Sequence, residues 1–166
     1  MRQICVQSLS RERFCRYGEF LNLLDDGALA ASSIFSSSFF PDVIELNFGN
    51  DLPPTVSVCQ LKRGESQTVS FVEYHKKTCE GILPLDTDVL LFVGLAEMGR
   101  LSAKFVEAFY VPKGTFVRLN PLIVHGSLFP VAESGHSLCL LPWRTFVNDM
   151  EAKPLSADEA FELIVQ

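Results

Sequence analysis

From Val43 onward the chain is a succession of short β-prone runs, and this succession constrains the fold more than any other feature. The runs are Val43 to Phe48, Val56 to Leu61, Val69 to His75, Gly81 to Leu85, Val89 to Leu95, Phe105 to Val111, Thr115 to Leu119, Ile123 to Phe129 and Ser137 to Leu141. Turn residues part them: Gly49-Asn50-Asp51, Arg63-Gly64, Asp86-Thr87-Asp88, Gly99, Pro112-Lys113-Gly114, Asn120-Pro121 and Ser134-Gly135. β-Branched and aromatic residues in such runs, bounded by Gly, Pro, Asn and Asp, predict strands. Many short strands at near-regular spacing predict a sandwich or barrel.

The ends read as helical. Ser10 stands as a cap ahead of Arg11 to Tyr17, where Phe14 and Tyr17 share one face, and Gly18 ends the helix or turns the chain. Ser156-Ala157-Asp158-Glu159 reads as a capping box ahead of Ala160, Phe161, Leu163 and Ile164, which predicts a short C-terminal helix. Between Asp25 and Ser38 the chain is rich in Ala and Ser (Ala28, Ala30, Ala31, Ser32, Ser33, Ser36, Ser37, Ser38) with little periodicity. That stretch reads as a loop or irregular strand entrance, reinforced by Pro41. No internal repeat or long linker is visible, so residues 1–166 read as one all-β domain with short helical ends.

Hydrophobic residues make up 48% and charged residues 20%, enough to build a core and to exclude wholesale disorder. Fourteen Lys and Arg stand against twenty Asp and Glu, a formal charge of -6, which argues against nucleic acid as a partner. The longest apolar stretch, Val89 to Ala96, falls far short of the roughly 20 residues needed to cross a bilayer. Met1 to Ser10 lacks the basic-then-apolar pattern of a secretory signal. Five cysteines (Cys5, Cys15, Cys59, Cys79, Cys139) are scattered with no CxxC pair, which suggests reduced thiols and a cytoplasmic location.

Chemistry concentrates in two of the three histidines. Glu73-Tyr74-His75 lies in a predicted strand, where residues two apart face the same side, and Glu80 opens the next strand after the turn Lys76-Lys77-Thr78-Cys79. His125 comes fifty residues after His75, four past Pro121. Taken alone, an E-x-H in a strand is most often a solvated polar face. Glu80 and His125, at a spacing that resembles the cupin metal signature, shift the reading toward a site. His125, among Ile123, Val124 and Leu128, also suits a hydrogen-bonded core histidine. His136 reads as a loop residue, Cys79 as a small apolar one and Lys76-Lys77 as a solvated turn.

The pattern E-x-H-x-x-x-x-E with a distant histidine after a proline turn resembles the metal signature of cupins, with Glu73 standing where the first histidine would be. The resemblance implies Glu73, His75, Glu80 and His125 converging inside a β-barrel, a set suited to a divalent transition metal such as Zn, Mn, Ni or Fe. A closer resemblance is to the ureidoglycolate lyase family, a cupin branch. Leu9-Ser10 followed by Phe14 and Tyr17-Gly18 is similar to its opening L-S-x-x-x-F-x-x-Y-G, Glu73-Tyr74-His75 to its E-x-H, and Ile82-Leu83-Pro84 to its apolar-apolar-Pro step. Val89 to Ala96, Ala108-Phe109, Gly114 with Val117, and His125 with Leu128 follow its later motifs in order, so the likeness runs from about Leu9 to Arg144.

That resemblance implies a cupin-type β-barrel (double-stranded β-helix or jelly roll), a homodimer, and elimination of urea from ureidoglycolate, a small-molecule substrate of purine and allantoin catabolism, to give glyoxylate. It implies His125 as base, with His75 and Glu73 orienting substrate or holding a metal. Because a carboxylate substrate wants a cation, Arg118 and Arg144 are candidate contacts that no family motif marks, and Tyr74 is a further expected substrate contact. The chain departs from the family at His125-Gly126-Ser127-Leu128, where the second histidine of H-H-P-L is missing, and at Ala28 to Phe40, which carries no charge. The alternatives are another metal-dependent cupin lyase or isomerase acting on a small oxyacid, or a non-catalytic small-molecule-binding cupin.

Overall fold

A computed structural model describes residues 1–35 and 38–165. The first half of the chain carries β1 (Arg2–Ser8), α1 (Arg11–Phe14), β2 (Gly18–Asn22), α2 (Asp26–Ser32), β3 (Pro54–Lys62), β4 (Thr68–Val69), β5 (Phe71–His75) and β6 (Glu80–Pro84). The second carries β7 (Val89–Leu95), β8 (Val106–Val111), β9 (Thr115–Leu119), β10 (Ile123–Val124), β11 (Phe129–Pro130), β12 (Ser134–Pro142), α3 (Thr145–Asn148), β13 (Met150–Pro154) and β14 (Phe161–Ile164). The protein is all-β, and a curled half-barrel sheet gives it the architecture expected of a cupin-type barrel. Among the described residues no helix is long and apolar enough to cross a membrane.

Three sheets form. One follows the path β10-β7-β8-β1-β14-β4, with β11 also paired to β7; a second runs β2-β9-β6-β12-β3; and β13 with β5 makes a two-stranded ribbon. Pairing is antiparallel except for β1, which lies parallel to β8 on one side and to β14 on the other. The two larger sheets enclose a core in which Ile82, Val117 and Leu119 face Leu91, Val93 and Phe109, closed at one end by Phe14 and Tyr17. A second core gathers Val69, Val72, Tyr74, Leu90, Phe92 and Phe161. Strand β7 serves both, with Leu91 and Val93 facing one core and Leu90 and Phe92 the other. Burial on both faces explains why its sequence is a continuous apolar run rather than an alternating one.

Several expectations need correction. The C-terminal helix does not form. Ser156 and Glu159 make a single turn, with the Ser156 amide and hydroxyl donating to Glu159 Oε2 at 3.2 and 3.1 Å, and the chain then extends into β14. Phe161 and Leu163 alternate into the second core, and this period-two burial beside β1 outweighs the helical start signal. At the other end the helix is one turn long, follows a strand, and has no side-chain cap from Ser10.

The stretch read as a loop after Asp25 opens with α2, whose first turn is capped by Asp25 Oδ1 accepting from the Ala28 amide at 3.0 Å. Ser36 and Ser37 of that stretch lie outside the described residues. Val43 to Phe48 carries no strand. The run Val69 to His75 is interrupted at Ser70, and Ser134-Gly135 begins β12 rather than making a turn.

Candidate metal centre

Strand β5 turns Glu73 and His75 to one face and Tyr74 to the other. The late histidine arrives beside them because Glu73 and His125 form an isolated antiparallel bridge, each amide donating to the other's carbonyl at 2.8 and 2.9 Å. Residues paired in this way project to the same side. After the turn at residues 76–79, β6 opens with Glu80 on the same face as Ile82, which belongs to the inter-sheet core. Three separate stretches thus deliver their side chains to the end of that core.

Glu80 Oε2 is the common point. His75 Nε2 lies 3.2 Å from it and His125 Nε2 lies 2.7 Å from it. The imidazole centroids are 5.4 Å apart, and one ligand atom from each of the three residues falls within 4.8 Å of the others. His75 and His125 are each 3% exposed and Glu80 is 8% exposed. Glu73 stands outside this trio, its Oε1 3.9 Å from His125 Nε2, and is more exposed.

The second nitrogens set the proton positions. His125 Nδ1 is 2.7 Å from the Ile123 carbonyl and His75 Nδ1 is 3.2 Å from the Asp149 carbonyl. A carbonyl only accepts, so both Nδ1 atoms carry the hydrogen and both Nε2 atoms are turned to Glu80 Oε2. The short contact from His125 Nε2 to Glu80 is not aligned as a hydrogen bond, and this buried nitrogen has no hydrogen-bond partner. Two imidazole nitrogens crowded on one buried carboxylate oxygen, one of them without a hydrogen-bond partner, favour a positive charge among them.

A proton or a metal cation can meet that need. Burial opposes ionisation of both Glu80 and His125, but their mutual attraction prevails. Glu80 is held well below the usual carboxylate range, and His125 is pushed up to about 9. A cation taking the same place would displace that proton. The buried His75–Glu80–His125 cluster could therefore bind a metal ion, with Nδ1–carbonyl contacts of the kind that orient histidine ligands.

The centre opens on a cavity of about 360 Å³. Its wall includes Ser57, Cys59, Ser137 and Cys139 from the paired strands β3 and β12, facing Glu73 and Glu80. The Cys139 thiol donates to Glu80 Oε1 at 3.0 Å, leaving Oε2 to the histidines. Burial and the nearby Glu80 push that thiol's pKa up, so it remains a donor. For Glu73, burial raises the carboxyl pKa; Glu80 adds to the rise while His125 and His75 oppose it.

Of the four residues expected to make the centre, His75, Glu80 and His125 converge and Glu73 lines the cavity beside them, outside the trio, whereas the two expected substrate contacts lie elsewhere. Tyr74 is buried in the second core with its hydroxyl donating to the Gly99 carbonyl at 3.1 Å. Arg118 alternates with buried Val117 and Leu119, and its guanidinium donates to Glu19 and Asn120, each at 2.8 Å. Arg144 lies over the exposed Trp143 ring, 5.2 Å from its centroid. His136 lies in β12 rather than a loop, its Nδ1 2.7 Å from Asp86.

Gly126, where the resembling family carries its second histidine, is crowded, so that a side chain there would have to displace its neighbours. A β-carbon there would lie 2.9 Å from Phe92 Cζ and 3.2 Å from the Phe71 carbonyl. Cys139, Ser137 and Asp149 were not anticipated. The small inward residues at every second position of Gly135-Ser137-Cys139 were the available signal for a cavity wall. No family model matches the chain, and no curated protein matches it.

Proposed function

We propose that this protein is a metal-dependent small-molecule lyase of the ureidoglycolate type, eliminating urea to leave glyoxylate. The observation that carries this reading is the convergence of two Nε2 atoms on Glu80 Oε2 beside a cavity edged by Glu73. His75, Glu80 and His125 would hold the cation, a two-imidazole, one-carboxylate set suited to Mn, Fe, Ni or Zn. When bound, it would supply Lewis-acid polarisation and the positive charge a substrate carboxylate needs, which Arg118, occupied by Glu19 and Asn120, does not offer.

The chain's own part in the chemistry is a proton transfer. Glu73 as carboxylate takes the proton from the carbinol oxygen while the C–N bond breaks and the new carbonyl forms. The same carboxyl returns that proton to the departing urea nitrogen, so the cycle balances. His125 suits the holding role better than that of the expected base, because it is buried with Nδ1 tied to Ile123 and Nε2 facing Glu80. Glu73→Gln would lower turnover by about 10²- to 10⁴-fold, the usual contribution of a positioned acid–base group, while metal uptake survives.

The direct test incubates purified protein, stripped with chelator and reloaded with Mn²⁺, Ni²⁺ or Zn²⁺, with ureidoglycolate and follows glyoxylate. Turnover above the spontaneous rate is expected; its absence with every metal overturns the lyase reading. The crowding at Gly126 favours one alternative, a cupin that binds a small oxyacid without turning it over. Saturable binding of ureidoglycolate that is released unchanged would identify that case.

A further inference from the structure

One residue outside the cavity touches His75 and the first three residues of the loop that joins it to Glu80. Asp149 follows α3 and immediately precedes Met150, which pairs with His75 across the β13–β5 ribbon. Its Oδ1 accepts from the Lys76 amide at 3.1 Å, and its Oδ2 accepts from the Lys77 and Thr78 amides at 2.9 and 3.0 Å. Its backbone carbonyl lies 3.2 Å from His75 Nδ1. Three consecutive amides cupped around a carboxylate form an anion nest, and hydrogen bonds to a charged acceptor are the stronger kind.

We propose that Asp149 is a positioning residue: it clamps the turn between His75 and Glu80 and orients the His75 ring, presetting both for a divalent cation. This rests on the metal-binding reading above. Lys76 and Lys77 are exposed whereas Thr78 and Cys79 are buried, so the Asp149 carboxylate fixes the backbone of the exposed half of the turn. Without that carboxylate, the distance between His75 and Glu80 would be set in part when the cation arrives, and its affinity would bear the ordering cost. The ribbon holds the Asp149 backbone in place, so removing its carboxylate tests the turn clamp separately from the carbonyl contact.

The test titrates chelator-stripped full-length protein with Co²⁺, using calorimetry for affinity and visible absorption for ligand geometry. The chains are the wild type, Asp149→Ala, Asp149→Asn and Glu151→Gln. Glu151, ion-paired to Lys76 at 2.7 Å on the same ribbon, controls for general loosening. Asp149→Ala is expected to weaken Co²⁺ binding by about 10- to 100-fold, the usual effect of removing an outer-shell partner, and to alter the absorption band. Asp149→Asn should fall between, and Glu151→Gln should match the wild type. If Asp149→Ala fails to fold by circular dichroism, Asp149→Asn decides.

Wild-type affinity in the folded Asp149 variants overturns this inference alone. Equal weakening by Glu151→Gln overturns it as well. A wild-type chain that takes up no Co²⁺ overturns both this inference and the metal-binding reading.

Discussion

Glu107 accepts three hydrogen bonds: from the Tyr17 hydroxyl at 2.5 Å, the Gln7 amide at 3.2 Å and the Arg16 guanidinium. Burial works against its charge, but these donors outweigh it and hold its pKa below the ordinary value. An acid depressed on folding stabilises the fold above its unfolded pKa, about 4.3 for Glu, and loses that contribution as pH falls through the folded value. Urea unfolding from pH 7 to pH 3 should show stability falling in the acid limb, and Glu107→Gln should flatten that limb. An unchanged pH profile in the variant would refute this account.

The candidate centre was legible where ligands followed local geometry: two residues apart on β5, and Glu80 just past one turn. Asp149 and Cys139 were not. Their partners lie 71 to 74 and 59 residues away, and pattern within a run carries no information about such distant contacts.

At the scale of elements, β14 shows how burial overrides a start signal. Phe161 is fully buried, edge-on to Phe92 at 5.4 Å, with the Arg2 guanidinium 5.1 Å from its ring centroid. A helix continuing from Ser156 would give up its parallel pairing to β1 and move Phe161 and Leu163 off their shared face. Phe161→Ala should therefore cost about 3–5 kcal/mol, measured by urea denaturation, as for other fully buried aromatics. A loss well under 1 kcal/mol would mean that the second core closes without it.

The strands from β6 to β9 were readable because their apolar runs match their bounds closely. Val43 to Phe48 has the composition of a strand but no paired edge, so composition misled there. The opposite error fell on α2, whose alanines and Asp25 cap were a readable helix start that the following serines obscured.

Across the whole molecule, two cores share β7, and the candidate centre lies at the end of the inter-sheet core. The turns that bound β6 to β9 were predictable; strand number was not, because nine runs were expected where the described residues carry fourteen strands. Neither was the partner of each strand, because period-two alternation says which face is buried but not which neighbour lies alongside. The parallel register of β1 and β14, with Arg2 opposite Phe161 and Cys5 opposite Ile164, has an architectural consequence. The start and finish of the described chain run side by side, so a tether from Ile164 back to Arg2 must span only about 10 Å at a strand's rise of about 3.3 Å per residue. Ligating the termini through a short glycine–serine bridge should yield a circular protein with the same circular dichroism and a higher urea midpoint, since the seam between first and last strands can no longer peel apart.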